Sequence, residues 1–191
     1  MIYFTSDPHL GHRFVLTNRP QFSSVEEMNE ILINNINQTV TPKDTLYIIG
    51  DATNRLKQDE ASDLLRRIRC NKILIRGNHD KEYEPGIFKE TLDYLELTYN
   101  KHTYILCHYP FICWKRMKHG FINLHGHIHS SPEYNEEHHA IGRLQYDVGV
   151  DANGYKPVSI AEIEAWADSS PWREYTGLNH HQKENADNEE N

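Results

Sequence analysis

Five short apolar runs of this chain end in the same kind of punctuation. Lys72-Ile73-Leu74-Ile75 runs into Arg76-Gly77-Asn78-His79-Asp80, and comparable runs end at Asp7-Pro8-His9, Gly50-Asp51, His108 and Gly126-His127-Ile128-His129. An apolar run of this length bounded by turn residues predicts a buried strand. Gly77 is expected to let the backbone turn tightly as its strand ends. Polar residues that follow such strands sit at carboxyl ends, where open α/β sheets place their ligands. Five predicted strands thus end in carboxylate, imidazole or amide side chains.

The elements between these ends alternate at first. Ile2 to Ser6 predicts a strand. Ser23 or Ser24, with Glu26 or Glu27 three residues on, predicts a capping box, and Val25, Met28, Ile31, Leu32 and Ile36 predict the helix's buried face. A strand over Thr45 to Ile49 follows. Next come a helix over Asp59 to Arg69, with Ala61, Leu64, Leu65 and Ile68 inward, and the strand Lys72 to Ile75. The order β-α-β-α-β predicts parallel neighbours with right-handed crossovers. The second half differs. Tyr94 to Tyr99 and His102 to Cys107 predict a hairpin around Asn100-Lys101, and Phe121 to Leu124 and Leu144 to Val148 predict further strands. Glu133 to His139 predicts a mobile polar loop. Ser159 with Glu162 caps a last helix, Ile160 to Ala167, on whose apolar face Trp166 is expected in the core. We expect one domain over residues 1–170 and a polar tail over 171–191, disordered from Asn179.

Composition narrows the function. With 28 acids against 20 bases, the formal net charge is −8. Electrostatic binding to long nucleic acid needs a basic face and is not expected. Small phosphorylated substrates stay compatible, because bound cations reverse a local field. Three cysteines, Cys70, Cys107 and Cys113, have no framework spacing and predict free thiols in a reducing compartment. No run has the character of a signal peptide or membrane span. We expect a cytoplasmic protein.

Asp7 and His9 are two apart, which in extended chain puts both on one face, and His127 and His129 repeat the spacing. One such histidine would be an ordinary structural residue. The whole set, recurring after strands, has the donor chemistry of a first-row metal site.

The ordered signature D-x-H, G-D, G-N-H-D, H, G-H-x-H, from Asp7 to His129, resembles that of the calcineurin-like metallophosphoesterase superfamily. The stretches Tyr146-Asp147-Val148-Gly149-Val150-Asp151 and Lys156-Pro157-Val158-Ser159 resemble the close of its small bacterial and phage members. The resemblance implies an α/β fold, a four-layer αββα sandwich of two mixed sheets flanked by helices. It implies two divalent metals (manganese in vitro, with iron, zinc or nickel as alternatives) bridged by a hydroxide. Asp7, His9 and His129 would hold one metal and Asn78, His108 and His127 the other, with Asp51 bridging them at the roughly 3.5–4 Å spacing of two-metal hydrolases. His79 would protonate the leaving oxygen or stabilise its charge, and Asp80 would orient His79 or cap local backbone.

The implied activity is hydrolysis of small phosphodiesters or phosphomonoesters, nucleotides among them. The alternatives are a nuclease acting on short nucleic-acid ends and a non-catalytic scaffold that kept the fold. His12, Arg13, Asn18 and Arg19 line the phosphate pocket or form a surface loop ahead of Pro20. Arg55 contacts phosphate or is a solvated loop residue, since Gly50-Asp51-Ala52-Thr53-Asn54-Arg55 lacks the acid and glycine of the protein phosphatases. Tyr109, Phe111 and Trp114 close the core beside the site or stack on a base. His125, inside its strand, is expected to be structural.

Overall fold

The computed structural model describes residues 1–175. The expectation of disorder from Asn179 lies outside them. Strand β1 (Ile2–Thr5) leads to helix α1 (Val25–Thr39), β2 (Thr45–Ile49), α2 (Gln58–Arg66) and β3 (Asn71–Ile75). A short strand that the sequence did not signal, β4 (Glu90–Leu92), follows. Then come β5 (Leu95–Tyr99), β6 (His102–Leu106), β7 (Ile122–His125), α3 (Glu133–Ala140), β8 (Gln145–Asp147), β9 (Val158–Ser159) and α4 (Ile160–Ser169).

These strands form two mixed sheets. The first has the order β4-β3-β2-β1-β9, with β9 antiparallel to β1 and the rest parallel. The second has the order β5-β6-β7-β8, with the expected β5-β6 hairpin antiparallel and the others parallel. Period-two alternation sorts the first sheet's side chains between two cores. Phe4, Tyr47, Ile49, Ile73 and Ile75 pack with Tyr104, Leu106, Ile122 and Leu124 of the second sheet. Leu46, Ile48 and Leu74 face Met28, Leu32, Ile33 and Ile36 of α1 and Leu65 beside Ile68. Helix α3 lies against β8 of the second sheet, and α4, which follows β9 and packs beside β9 and β1, joins it through Trp166, whose Nε1 donates to the Asn135 carbonyl at 3.1 Å and whose ring meets Tyr146. The layers are those the resemblance implied, two mixed sheets flanked by helices.

Ser24 caps α1, accepting the Glu27 N–H at 3.1 Å. Its buried stripe runs through Met28, Asn29, Leu32, Ile33 and Ile36. Ile31, expected inward, is exposed. At 100° per residue it falls about 130° from the centre of that stripe, so the burial is Ile33's. Helix α2 stops at Arg66, three residues early. Asn37 of α1 takes over the backbone there, donating to the Arg67 carbonyl and accepting the Arg69 N–H.

Glu133–Ala140 is a helix, not the loop expected. It has no apolar periodicity to reveal it. Hydrogen bonds dock it instead: Asn135 is buried and exchanges two with the backbone of Asp147, at 2.8 and 2.9 Å. Past α4, Trp172 and Tyr175 pack against the first core, and Tyr175 OH accepts from Arg143 at 2.8 Å.

Candidate metal centre

The carboxyl ends of β1, β2 and β3 from one sheet, and of β6 and β7 from the other, meet at a common edge. Backbone hydrogen bonds lace the loops together. Asp7 N–H donates to the Gly50 carbonyl, His9 N–H to that of Asp51, and Gly126 N–H to that of His108, all at 3.0–3.1 Å. Asp7, His9, Asp51, His127 and His129 all have positive φ, between 46° and 74°. Non-glycine residues rarely adopt this conformation, and it persists only where the surroundings over-determine it. Four of these turns bring their side chains, those of Asp7, His9, Asp51 and His129, together at this edge, while His127 stays exposed.

Two glycines make the approach possible. A Cβ on Gly126 would stand 1.9 Å from Ser6 Oγ and 2.2 Å from Asp7 Oδ2. One on Gly77 would stand 2.3 Å from Asp51 Oδ1. Gly77 thus serves close packing rather than the tight turn its place after a strand suggested.

Two tight groups of donor atoms result: Asp7, His9 and His129, and Asp7, Asp51 and His108. His9 Nε2 and His129 Nε2 face each other at 3.2 Å, each 3.9 Å from Asp7 Oδ1. Asp51 Oδ2 reaches both sides, 3.6 Å from His9 Nε2 and 3.5 Å from His108 Nε2. Asn78 Oδ1 lies 3.1 Å from His108 Nε2. His127 sits outside the tight groups. Its ring packs 5.0 Å from that of His108 and 4.7 Å from that of Tyr109, and its backbone N–H donates to Asp7 Oδ2 at 2.9 Å.

The residues fit cations. Ligand atoms held about 2 Å from one cation stand about 3 Å apart, close to the spacings here. Asp7 Oδ1 is buried with no hydrogen-bond partner among the described residues, an expensive state for a carboxylate without a positive charge beside it. Burial pushes the Asp7 carboxyl up to about 6, against the pull of His108 and His129. Burial also drives His9 down to about 3, the neutral form that ligates. Burial pushes Asp51 upward too, but hydrogen bonds from His108 and the His79 N–H outweigh it and keep it low. His108 Nδ1 is 2.9 Å from the Ile49 carbonyl, which turns Nε2 into the site.

Two expected site residues have other work. Arg19, expected in the phosphate pocket, is fully buried. It forms a bidentate pair with Asp151, Nε to Oδ1 and Nη2 to Oδ2 at 2.7 Å, and donates to the Asp7 and Pro8 carbonyls. It braces the Asp7–His9 loop and is closed to substrate. Asp80 does not orient His79. Its carboxylate accepts the N–H groups of Asp51 and Gly77 at 2.8 Å and of Ala52 at 2.9 Å, and the Tyr83 hydroxyl at 2.7 Å. That leaves Asp80 the backbone-capping role.

His12 is half-buried, its ring 5.6 Å from that of His9 and 6.5 Å from that of His79, with Nδ1 3.3 Å from Asn54 Nδ2. Arg55 is exposed, its guanidinium 5.3 Å over the ring of Phe14. Arg13 is exposed, and among the described residues no hydrogen bond or ion pair ties it to the site. His125 is buried in β7, its nitrogens meeting the Gly126 carbonyl and the Tyr134 hydroxyl. Trp114 is buried in the first core and Phe111 packs on it, while Tyr109 is exposed beside His108.

Sequence reasoning missed Asp151. Its Oδ2 lies 2.8 Å from His129 Nδ1 while it also holds Arg19. Burial pushes its carboxyl up, but these two partners outweigh burial and hold it at about 2. A carboxylate behind a ligating imidazole fixes tautomer and ring orientation. The Asp147-to-Asp151 stretch was visible in the sequence, but nothing local told which acid turns toward the site.

A model of the calcineurin-like phosphoesterase family matches residues 1–187. An uncharacterized protein of Methanocaldococcus jannaschii is 37% identical over 164 residues, covering 83% of this chain and 86% of its own. The Gene 66 protein of Mycobacterium phage L5 is 28% identical, covering 84% of this chain and 91% of its own. A crystal structure of a protein of unknown function from Aquifex aeolicus superposes with a TM-score of 0.68 at 27% identity, covering 86% of this chain and 98% of that one.

Proposed function

The chain belongs to the calcineurin-like phosphoesterase family, and on that premise we propose that it hydrolyses small phosphoric esters with two divalent cations. The observation that carries the reading is Asp51 Oδ2, set between His9 on one side and His108 on the other. We assign Asp7, His9 and His129 to one cation, Asn78, His108 and His127 to the second, and Asp51 to both. When bound, two such cations supply an activated water, a clamp on the phosphate oxygens and neutralisation of charge in the transition state.

The chain's own groups supply the rest. Asp151 and Arg19 hold His129 and the Asp7 loop in place. Asp80 ties the Asp51 turn to the Gly77 turn. His79 donates its backbone N–H to Asp51 Oδ1 at 2.8 Å, while its ring stands with Nε2 4.0 Å from Asp51 Oδ2, beyond a hydrogen bond. Its side chain is 45% exposed, so the imidazole is available to substrate. As water oxygen bonds to phosphorus and the bond to the leaving oxygen breaks, His79 gives that oxygen its proton.

The acidic chain favours small phosphorylated substrates over long nucleic acid. We read residues 1–170 as the catalytic domain, with Trp172 and Tyr175 beyond it packed onto its core. Among the described residues no helix is long and apolar enough to cross a membrane. Cys70, Cys107 and Cys113 are free thiols, in keeping with a reducing, cytoplasmic setting. The test is turnover of bis-p-nitrophenyl phosphate or p-nitrophenyl phosphate with added Mn²⁺, lost to chelators. Full turnover after exhaustive chelation, with no metal left by elemental analysis, would refute the reading.

A further inference from the structure

A cavity of about 230 Å³ opens beside His79, lined also by Thr53, Arg55, Leu56, Gln58 and Lys81. No role in metal binding accounts for it. Glu82 is the one acid on its wall. Among the described residues neither Arg55 nor Lys81 has a carboxylate within ion-pair distance, so both charges on this wall are open to an anion. Arg55 is held by other means. Its φ is 58°, its neighbour Asn54 is buried and contacts His12, and its guanidinium carbon lies over the Phe14 ring, 5.3 Å from the ring centre. Among the described residues no hydrogen bond or ion pair engages its N–H groups, which leaves them for the bidentate contact a guanidinium makes with phosphate.

The position of His79 gives the cavity a direction. In-line displacement puts the leaving oxygen opposite the incoming water, so the proton donor marks the leaving side. His79 is both that donor, in the reading above, and part of the cavity wall. We propose that the cavity receives the leaving group and that this leaving group carries a second phosphate, held by Arg55 and Lys81. The substrate is then a phosphoester of an already phosphorylated alcohol. Water bonds to phosphorus, the phosphorus–oxygen bond to that alcohol breaks, and the alcohol departs with the His79 proton on its oxygen and its own phosphate intact. The inference rests on His79 as proton donor and goes beyond it by naming what leaves.

Three dinucleotides test it with the Mn²⁺-loaded protein: thymidylyl-(3′→5′)-thymidine, and the same compound with a phosphate added at its 5′ or at its 3′ end. Chromatography of the products identifies which nucleoside leaves. The phosphate on the leaving side should raise kcat/KM about tenfold, the scale of one charge-assisted contact, and the phosphate on the other side should not. That ratio should collapse in Arg55→Ala, survive in part in Arg55→Lys, and rise in Glu82→Gln. Equal kcat/KM for all three compounds, or a preference unchanged in both Arg55→Ala and Lys81→Ala, would overturn the inference while leaving the phosphoesterase reading standing. No turnover of these compounds or of bis-p-nitrophenyl phosphate would remove both.

Discussion

Asp80 and Asp51 are tied to each other through the backbone rather than through their charges. Asp80 Oδ2 accepts the Asp51 N–H and the Gly77 N–H, both at 2.8 Å, and Oδ1 accepts the Ala52 N–H at 2.9 Å. One carboxylate therefore closes two strand ends over each other, and the side chain of Asp51 is left to face the donor cluster. Asp80→Ala leaves three buried N–H groups without an acceptor and should destabilise the protein by on the order of 3 kcal/mol. Asp80→Asn keeps one acceptor oxygen and should lose less. Urea unfolding of both variants decides; a wild-type midpoint for Asp80→Ala would remove the capping role.

On the assignment proposed above Asp51 serves both cations, its Oδ2 lying 3.6 Å from His9 Nε2 and 3.5 Å from His108 Nε2, so its loss should be felt on both. Asp51→Asn should lower the affinity for both cations at once, while His108→Ala should weaken one far more than the other. Isothermal titration of the stripped variants with Mn²⁺ reads this directly. Two cations bound per chain at wild-type affinity in Asp51→Asn would contradict the bridging assignment.

His79 should separate chemistry from metal binding. Positioned proton transfer contributes about 10²–10⁴-fold. An alkoxide leaving group needs the proton and p-nitrophenolate hardly does. His79→Ala should keep its cations and lose far more kcat on an alkyl or ribose ester than on a nitrophenyl ester. An equal deficit across a leaving-group series would reassign His79 to phosphate binding, and loss of cations would make it a ligand.

Asp151 carries two partners at once, Arg19 and His129. Asp151→Asn leaves a fully buried guanidinium uncompensated and should cost about 3–5 kcal/mol. Loss of the carboxylate behind His129 should also weaken cation affinity about 10–100-fold. The double variant Asp151→Asn, Arg19→Met should recover part of the stability and none of the affinity. Strict additivity of the two single effects on stability would show that the pair is not coupled.

Gly126 tests how tightly the two sheets meet. Gly126→Ala sets a methyl against Ser6 and Asp7, and neither atom is at the tip of a long flexible chain. It should destabilise by more than about 1 kcal/mol, the lower range for overpacking, and loosen the Asp7 site. Unchanged thermal unfolding and cation affinity would show that the β7 end has room to move.

By itself the sequence determined seven strands, though not the short β4 and β9, together with their parallel start and the residue types at their ends. Those are local properties: Lys72 to Ile75 reads as a strand whatever lies beside it, and a turn after it delivers Asn78 and His79 to a sheet edge. The ordered signature from Asp7 to His129 added the family and its layered fold. Tertiary structure decided which polar groups face which. Arg19 meets Asp151 across 132 positions, and Asp80 finds the Asp51 backbone across 29. No spacing along the chain encodes that Arg19 turns inward rather than toward phosphate. The choice goes to whichever buried donor and acceptor would otherwise stay unpaired once the sheets close. The helix Glu133–Ala140 follows the same rule, since its docking to Asp147 exists only after β8 is in place.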